Sequence, residues 1–260
     1  QHKGESECAF YPGLTDEGCA FEKAPNPFGT GIENVNAIDY SRDALKRGLS
    51  LEGELGVNPL AFGQIGSTDT HLGTPGLVAE RGHPGHGGAG KAGNTLPDNP
   101  GFTDIATLNP GGLAVVWAEE NTRDSLFAAM QRRETYATSG TRPELRLFGG
   151  WDFDPNICAA GDVAKAGYAG GVPMGGDLPS RPADDSGAPR FLVAASRDVA
   201  PNGADLARIE IVKGWVENGE QKEIVLDVAG GKTGASVDLK TCERVGKGHT
   251  DLCSVWSDPD

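Results

Sequence analysis

The word Gly66-Ser67-Thr68-Asp69-Thr70-His71 sets a carboxylate and an imidazole two residues apart, the residue types and spacing of a cation site. Side chains two apart in an extended backbone project to the same side. Asp69 and His71 can therefore converge on one divalent ion or on two adjacent ones, at about 2.0–2.2 Å if the metal is zinc. A paired oxygen and nitrogen donor suits zinc, manganese or iron better than calcium. The same spacing also fits an Asp that caps a turn beside a solvated His, so D-x-H alone is a weak signal. Other chemistries lack their residues: there is no G-x-S-x-G elbow, no G-x-x-x-x-G-K-[ST] phosphate loop and no strand-to-helix G-x-G-x-x-G.

The elements that must position this pair lie on either side of it. Asn58 to Gly66 reads as a short strand opened by a turn signal, which puts Asp69 and His71 at its carboxyl end, where α/β barrels gather catalytic residues. A helix is expected over Ser41 to Leu55, with Ser41 as N-cap and Leu45, Leu49, Glu52 and Leu55 at helical spacing. Residues 74–110 are rich in Gly and Pro and read as a long loop. They include His83 and His86, whose H-x-x-H spacing permits chelation but sits on no helix that would fix it. Ala114 to Trp117 reads as a strand. Asn121 is expected to cap a helix running to about Arg133, with Asp124 at the capping-box position, Leu126, Phe127 and Met130 facing the core and Arg132 and Arg133 in the last turn.

Beyond Gly140 the apolar period changes to two. Glu144 to Phe148, Arg190 to Ala194, Arg208 to Trp215 and Glu220 to Val228 read as strands, and Asn218-Gly219 between the last two signals a type I′ hairpin. This patterning divides the chain into residues 1–140 and a β-rich, sandwich-like unit over residues 141–260.

Composition narrows the partners. Lys and Arg number 23 against 37 Asp and Glu, and the resulting charge of −14 repels phosphate backbones and anionic lipid alike. No apolar run approaches the ~20 residues of a membrane span. An anionic small-molecule substrate would need local neutralisation, which bound cations supply. Of the five cysteines, Cys8 with Cys19 and Cys242 with Cys253 each enclose ten residues. Two local disulfides are expected, with Cys158 unpaired or bonded outside the segment; the alternative is five reduced thiols. Disulfides imply an oxidising compartment, periplasmic or secreted.

The chain resembles the family known as domain of unknown function 3604, itself similar to a branch of the polymerase and histidinol phosphatase (PHP) superfamily. The resemblance rests on His2 to Cys8, on Gly66 to His71 followed by Gly73-Thr74-Pro75-Gly76, and on Gly111 to Leu113 running through Trp117 to Arg123. It extends to Arg133 to Arg142, Phe148 to Phe153 and Val172 to Leu178. It implies a distorted β/α barrel, of which this chain supplies the C-terminal part ahead of a mainly antiparallel β unit. It also implies two or three divalent ions, zinc, manganese or iron, that activate water against phosphoesters or related esters. By the same resemblance His2 joins Asp69 and His71 as a metal ligand, and Glu5 or Glu7 orients a ligand or caps a turn. A family-type Gly-Asp-Leu-His-x-His strand does not occur in these residues, so the chain is expected to be a piece of a longer polypeptide whose N-terminal part completes the site. The competing expectation is a noncatalytic binding or assembly module with an incomplete cage.

Overall fold

The computed structural model describes residues 37, 40–68, 73, 75–76, 78, 112–183, 187–201, 203–238, 240–241 and 243–258. In chain order the elements are α1 (Ser41–Leu55), β1 (Leu113–Val116), α2 (Arg123–Gln131), β2 (Thr135–Thr138), β3 (Glu144–Gly150), α3 (Ile157–Ala160), α4 (Val163–Gly170), β4 (Val172–Pro173), β5 (Arg190–Ser196), β6 (Arg208–Glu217), β7 (Glu220–Gly230), β8 (Ser236–Val237), β9 (Arg244–Val245) and β10 (Asp251–Ser257). Two compact units emerge, each built from separated stretches of chain. One comprises Gln1–Ala114, Ala137–Gly140 and Val212–Leu226; the other comprises Val115–Tyr136, Thr141–Ile211 and Asp227–Asp260. Among the described residues the fold is mixed α/β with mostly antiparallel sheets, and no sheet closes into a barrel.

The second unit is organised by a four-stranded antiparallel sheet in the order β10-β5-β3-β4. Its register runs from Glu144 opposite Ser196 to Gly150 opposite Arg190, and Asp251 to Ser257 line the other edge of β5 over the same span. Phe148, Phe153 and Leu192 form its fully buried core, with Ile157, Cys158, Val163, Cys253 and Val255 packed around them. The expected period-two strands are thus present, and the structure extends all four of them by two residues each at their C-terminal ends. The helices α3 and α4 lie between β3 and β5, where the sequence patterning placed no element. α4 reaches the sheet because Gly167 carries no side chain: a Cβ there would sit 2.3 Å from Cδ2 of Phe148.

The hairpin of β6 and β7 turns at Asn218 (φ 54°) and Gly219 (φ 81°), the two positive φ values that a type I′ turn requires. Helix α2 departs from expectation at both ends and along its face. Its N-cap is Thr122 and not Asn121: the Thr122 hydroxyl accepts from the Ser125 amide. Its buried residue is the small Ala129, while Phe127 and Met130 are about half exposed. Arg132 and Arg133 lie beyond the last turn instead of within it.

The disulfide expectation requires correction. Cys253 bonds to Cys158, with Cα atoms 5.7 Å apart, so Cys242–Cys253 does not form and Cys158 is not unpaired. The reason is topological: α3 lies against β10 in the sheet core, which brings together two cysteines 95 residues apart in sequence. The Cys8–Cys19 pair lies outside the described residues.

Candidate functional site

His2, Asp69 and His71 lie outside the described residues, as do His83 and His86; the route into the Asp69 segment is described. Helix α1 spans the expected Ser41–Leu55, capped by Tyr40 without a side-chain hydrogen bond and closed by Gly56 at φ 74°. Leu45, Leu49 and Leu55 are exposed, and the buried positions are Asp43, Lys46 and Gly48. Buried charge survives here because it is paired. Lys46 reaches Asp43 at 3.3 Å and Glu223 at 3.0 Å, and Arg42 reaches Glu223 at 3.3 Å. Glu223 belongs to β7, so its one carboxylate ties two cations of α1 to the hairpin.

Burial raises the Asp43 carboxyl above the usual range, the charge and hydrogen bond of Lys46 pull it back down, and Glu223 adds a smaller push upward. The sign of the linkage follows. A raised folded-state pKa means that the native protein takes up this proton before the unfolded chain does, so stability at this site rises as pH falls through the raised value. The stability of the wild type relative to Asp43→Asn is therefore expected to increase on going from neutral pH into the carboxylate range, measured by urea unfolding at a series of pH values. A difference that shrinks over that range would contradict it.

Downstream of α1 the chain turns at Asn58, whose Oδ1 accepts from the Leu60 amide at 2.9 Å. Gly48 makes room for this turn, since a Cβ there would lie 2.3 Å from the same Oδ1. Residues Ala61–Thr68 run on without a strand ladder, which corrects the strand expected over Asn58 to Gly66. Within this stretch the Gly66 amide donates to the Leu113 carbonyl of β1 at 3.2 Å. Gly66 is wedged: a Cβ would stand 2.7 Å from Leu113 O, 3.0 Å from Thr138 O and 3.1 Å from Leu113 N. All three are backbone atoms, which yield less readily than a side-chain tip. Gly66→Ala is expected to cost about 1–3 kcal/mol, read by chemical denaturation, and an unchanged midpoint would show that the wedge is not tight.

A second polar cluster, within the other unit, was not legible in sequence. Helix α2 ends with the Arg133 amide bonded to Met130 O and the Glu134 amide bonded to Ala129 O, the paired bonds of a Schellman motif. Arg133 occupies the left-handed position, φ 61°, that glycine usually fills. The reversal drives Glu134 inward, to 3% exposure. One carboxylate oxygen accepts from the Tyr168 hydroxyl and the other from Arg132 at 3.4 Å. Arg146 donates to the same Tyr168 hydroxyl at 3.2 Å and stacks its guanidinium over the Trp117 ring. Arg133 in turn pairs with Asp177 at 3.2 Å, and Gly175 lies against the Arg133 carbonyl. Burial, then the hydrogen bond and charge of Glu134, raise the Tyr168 hydroxyl above its usual range. Chemically this is a fixed, neutralised carboxylate that knits α2, β3 and α4 together. The only sequence signal was that Trp117, Arg133-Glu134 and Asp177 all fall in words carrying the family resemblance.

Those words belong to one pattern. A protein-family model described as "Protein of unknown function (DUF3604)" matches residues 1–260. The chain belongs to this family. No curated protein and no solved structure matches it. In this DUF3604 chain no group of three or more His, Cys, Asp or Glu side chains converges as a cation site among the described residues. Nor is any described helix long and apolar enough to cross a membrane.

Proposed function

We propose that this DUF3604 chain contributes His2, Asp69 and His71 to the centre of a metal-dependent hydrolase of the PHP type, acting on a phosphoester or related ester, with the distorted barrel as its scaffold. The observation that supports this reading most is the Gly66 wedge. Backbone atoms of β1 and β2 close on Gly66, a passage that only glycine fits and that precedes a carboxylate by three residues in sequence. The donor set fits the group, since carboxylate and imidazole are the ligands that zinc, manganese and iron accept. Such an ion, when bound, acts as a Lewis acid and lowers the pKa of a water to about 7. The D-x-H spacing would let Asp69 and His71 bind together, with His2 as third donor, and anion neutralisation would fall to the cations in a chain of net charge −14. The Cys158–Cys253 disulfide supports a periplasmic or secreted setting.

The count of donors favours a second reading. Three ligands fall short of the four or more that each ion takes, so without further donors the chain is a noncatalytic binding or assembly module. The test is a panel of phosphomonoesters, phosphodiesters and carboxylic esters with added zinc or manganese, run with and without a chelator. Chelator-sensitive turnover is expected. Chelator-resistant turnover would place the chemistry elsewhere, and no turnover on any ester would favour the binding module.

A further inference from the structure

We propose that the outer edge of β10 is an interface on which a second copy of this chain pairs, antiparallel and in register about Ser254. β10 and β4 are the two edges of the four-stranded sheet. The β4 edge is blunted, since it is two residues long and ends in Pro173, which has no amide to offer. β10 is the opposite case: it runs for seven residues, Asp251–Ser257, with no Lys and no Pro among them. Its hydrogen-bonding direction follows from the residues at either end. The Arg197 amide donates to Thr250 O at 2.8 Å and the Asp258 amide to Pro189 O at 3.0 Å. Backbone groups alternate in direction along an antiparallel strand. Leu252, Ser254 and Trp256 therefore turn theirs toward β5, while Asp251, Cys253, Val255 and Ser257 turn theirs outward. Among the described residues no backbone group pairs with that outward row. An edge of this kind is a template for another strand.

The strand is complementary to itself. The register that pairs its whole length sets Ser254 opposite its own copy, Cys253 opposite the second copy's Val255, Leu252 opposite Trp256 and Asp251 opposite Ser257. Outward residues then face outward residues, as a hydrogen-bonded antiparallel pair requires. No like charges meet, because Asp251 is the single charged residue of β10. Across β10 in the sheet, β5 sets Arg190 beside Ser257. The joined sheet therefore lines up Asp251 of one copy with Ser257 and then Arg190 of the other, in one row on one face. Opposite charges stand two strands apart, about 10 Å at Cα, with only a serine between them. Arg190 Nη1 donates to Phe153 O at 2.7 Å, and a guanidinium has further donors for a carboxylate. On the other face Leu252 meets the second copy's Trp256, an apolar cross-strand pair, beside the Phe191 ring that Trp256 contacts at 5.8 Å.

Sedimentation velocity of the protein over about 1–100 μM reads the association, and a dimer is expected. Ser254 lies at the centre of the pairing as a non-hydrogen-bonded pair, where side chains come closest. Ser254→Lys and Ser254→Asp each set like charges opposite one another, and each is expected to raise the dimer dissociation constant by about tenfold or more. An equimolar mixture of the two variants is expected to restore the dimer, since the facing charges are then opposite. Hydrogen exchange on the wild type needs no substitution: the outward Cys253 and Val255 amides are expected to exchange more slowly at high protein concentration than at low. A wild type that stays monomeric throughout, a dimer that both variants leave intact, a mixture of folded variants that does not restore it, or Cys253 and Val255 amides that exchange at one rate at every concentration would overturn the proposal. Protection of those amides in a monomer by an unrelated extended peptide alone would overturn it as well, because the occupant would then be a different chain.

Discussion

Replacing both Cys158 and Cys253 by serine is expected to destabilise the protein by about 2–5 kcal/mol, the usual cost of removing a native disulfide. The bond joins residues 95 apart, and in the chain-entropy account a long closed loop restricts the unfolded ensemble most. Both sulfurs also pack on the Phe148, Phe153 and Leu192 core, so the change reaches packing as well as connectivity. Cys242→Ser should leave the bond intact. Non-reducing peptide mapping decides between the pairings: a peptide holding Cys158 linked to one holding Cys253 is expected, and a Cys242–Cys253 link would overturn the topology described for β10 and α3.

Glu223→Ala is expected to cost about 3–5 kcal/mol, because it removes one member of a buried ion pair and strands the charge that remains. Arg42 and Lys46 both reach this carboxylate, and every side chain in the group is nine-tenths buried or close to it. Asp43 relieves Lys46 in part, since it pairs with the same ammonium, but its own second oxygen is buried without a partner. Glu223→Gln keeps the shape and some hydrogen bonding and should lose less. Denaturant midpoints for the two variants give the comparison, and a Glu223→Ala protein as stable as wild type would show that the quartet is only incidental.

Legibility in sequence followed the range of the interactions. The Asn218-Gly219 hairpin and the helix over Ser41–Leu55 are set by neighbouring residues, through turn chemistry and helical spacing, and both were readable. Capping also acts locally, yet Asn121 and Thr122 are adjacent capping residues and only the observed hydrogen bond to Ser125 separates them. The face of α1 was unreadable for another reason. Its buried side is charged, and the partner that neutralises it, Glu223, lies far along the chain. The same holds for Cys158, whose partner depends on α3 meeting β10, and for Glu134, which is buried by a left-handed Arg133 where a pattern reader looks for glycine. Gly66 shows the opposite case. Sequence marked it as the end of a strand, and the structure gives it a sharper role as the place where backbone atoms of Leu113 and Thr138 leave no room for a side chain.

Calorimetric titration of the protein with manganese, wild type against Asp69→Asn, tests most directly the proposal that the Asp69 word holds a divalent cation. Asn keeps the volume and one carbonyl oxygen but removes the charge that a divalent ion requires, so the account predicts saturable binding by wild type and loss of that binding in Asp69→Asn with an unchanged cation-free melting temperature. Equal manganese affinity in the two proteins would contradict it.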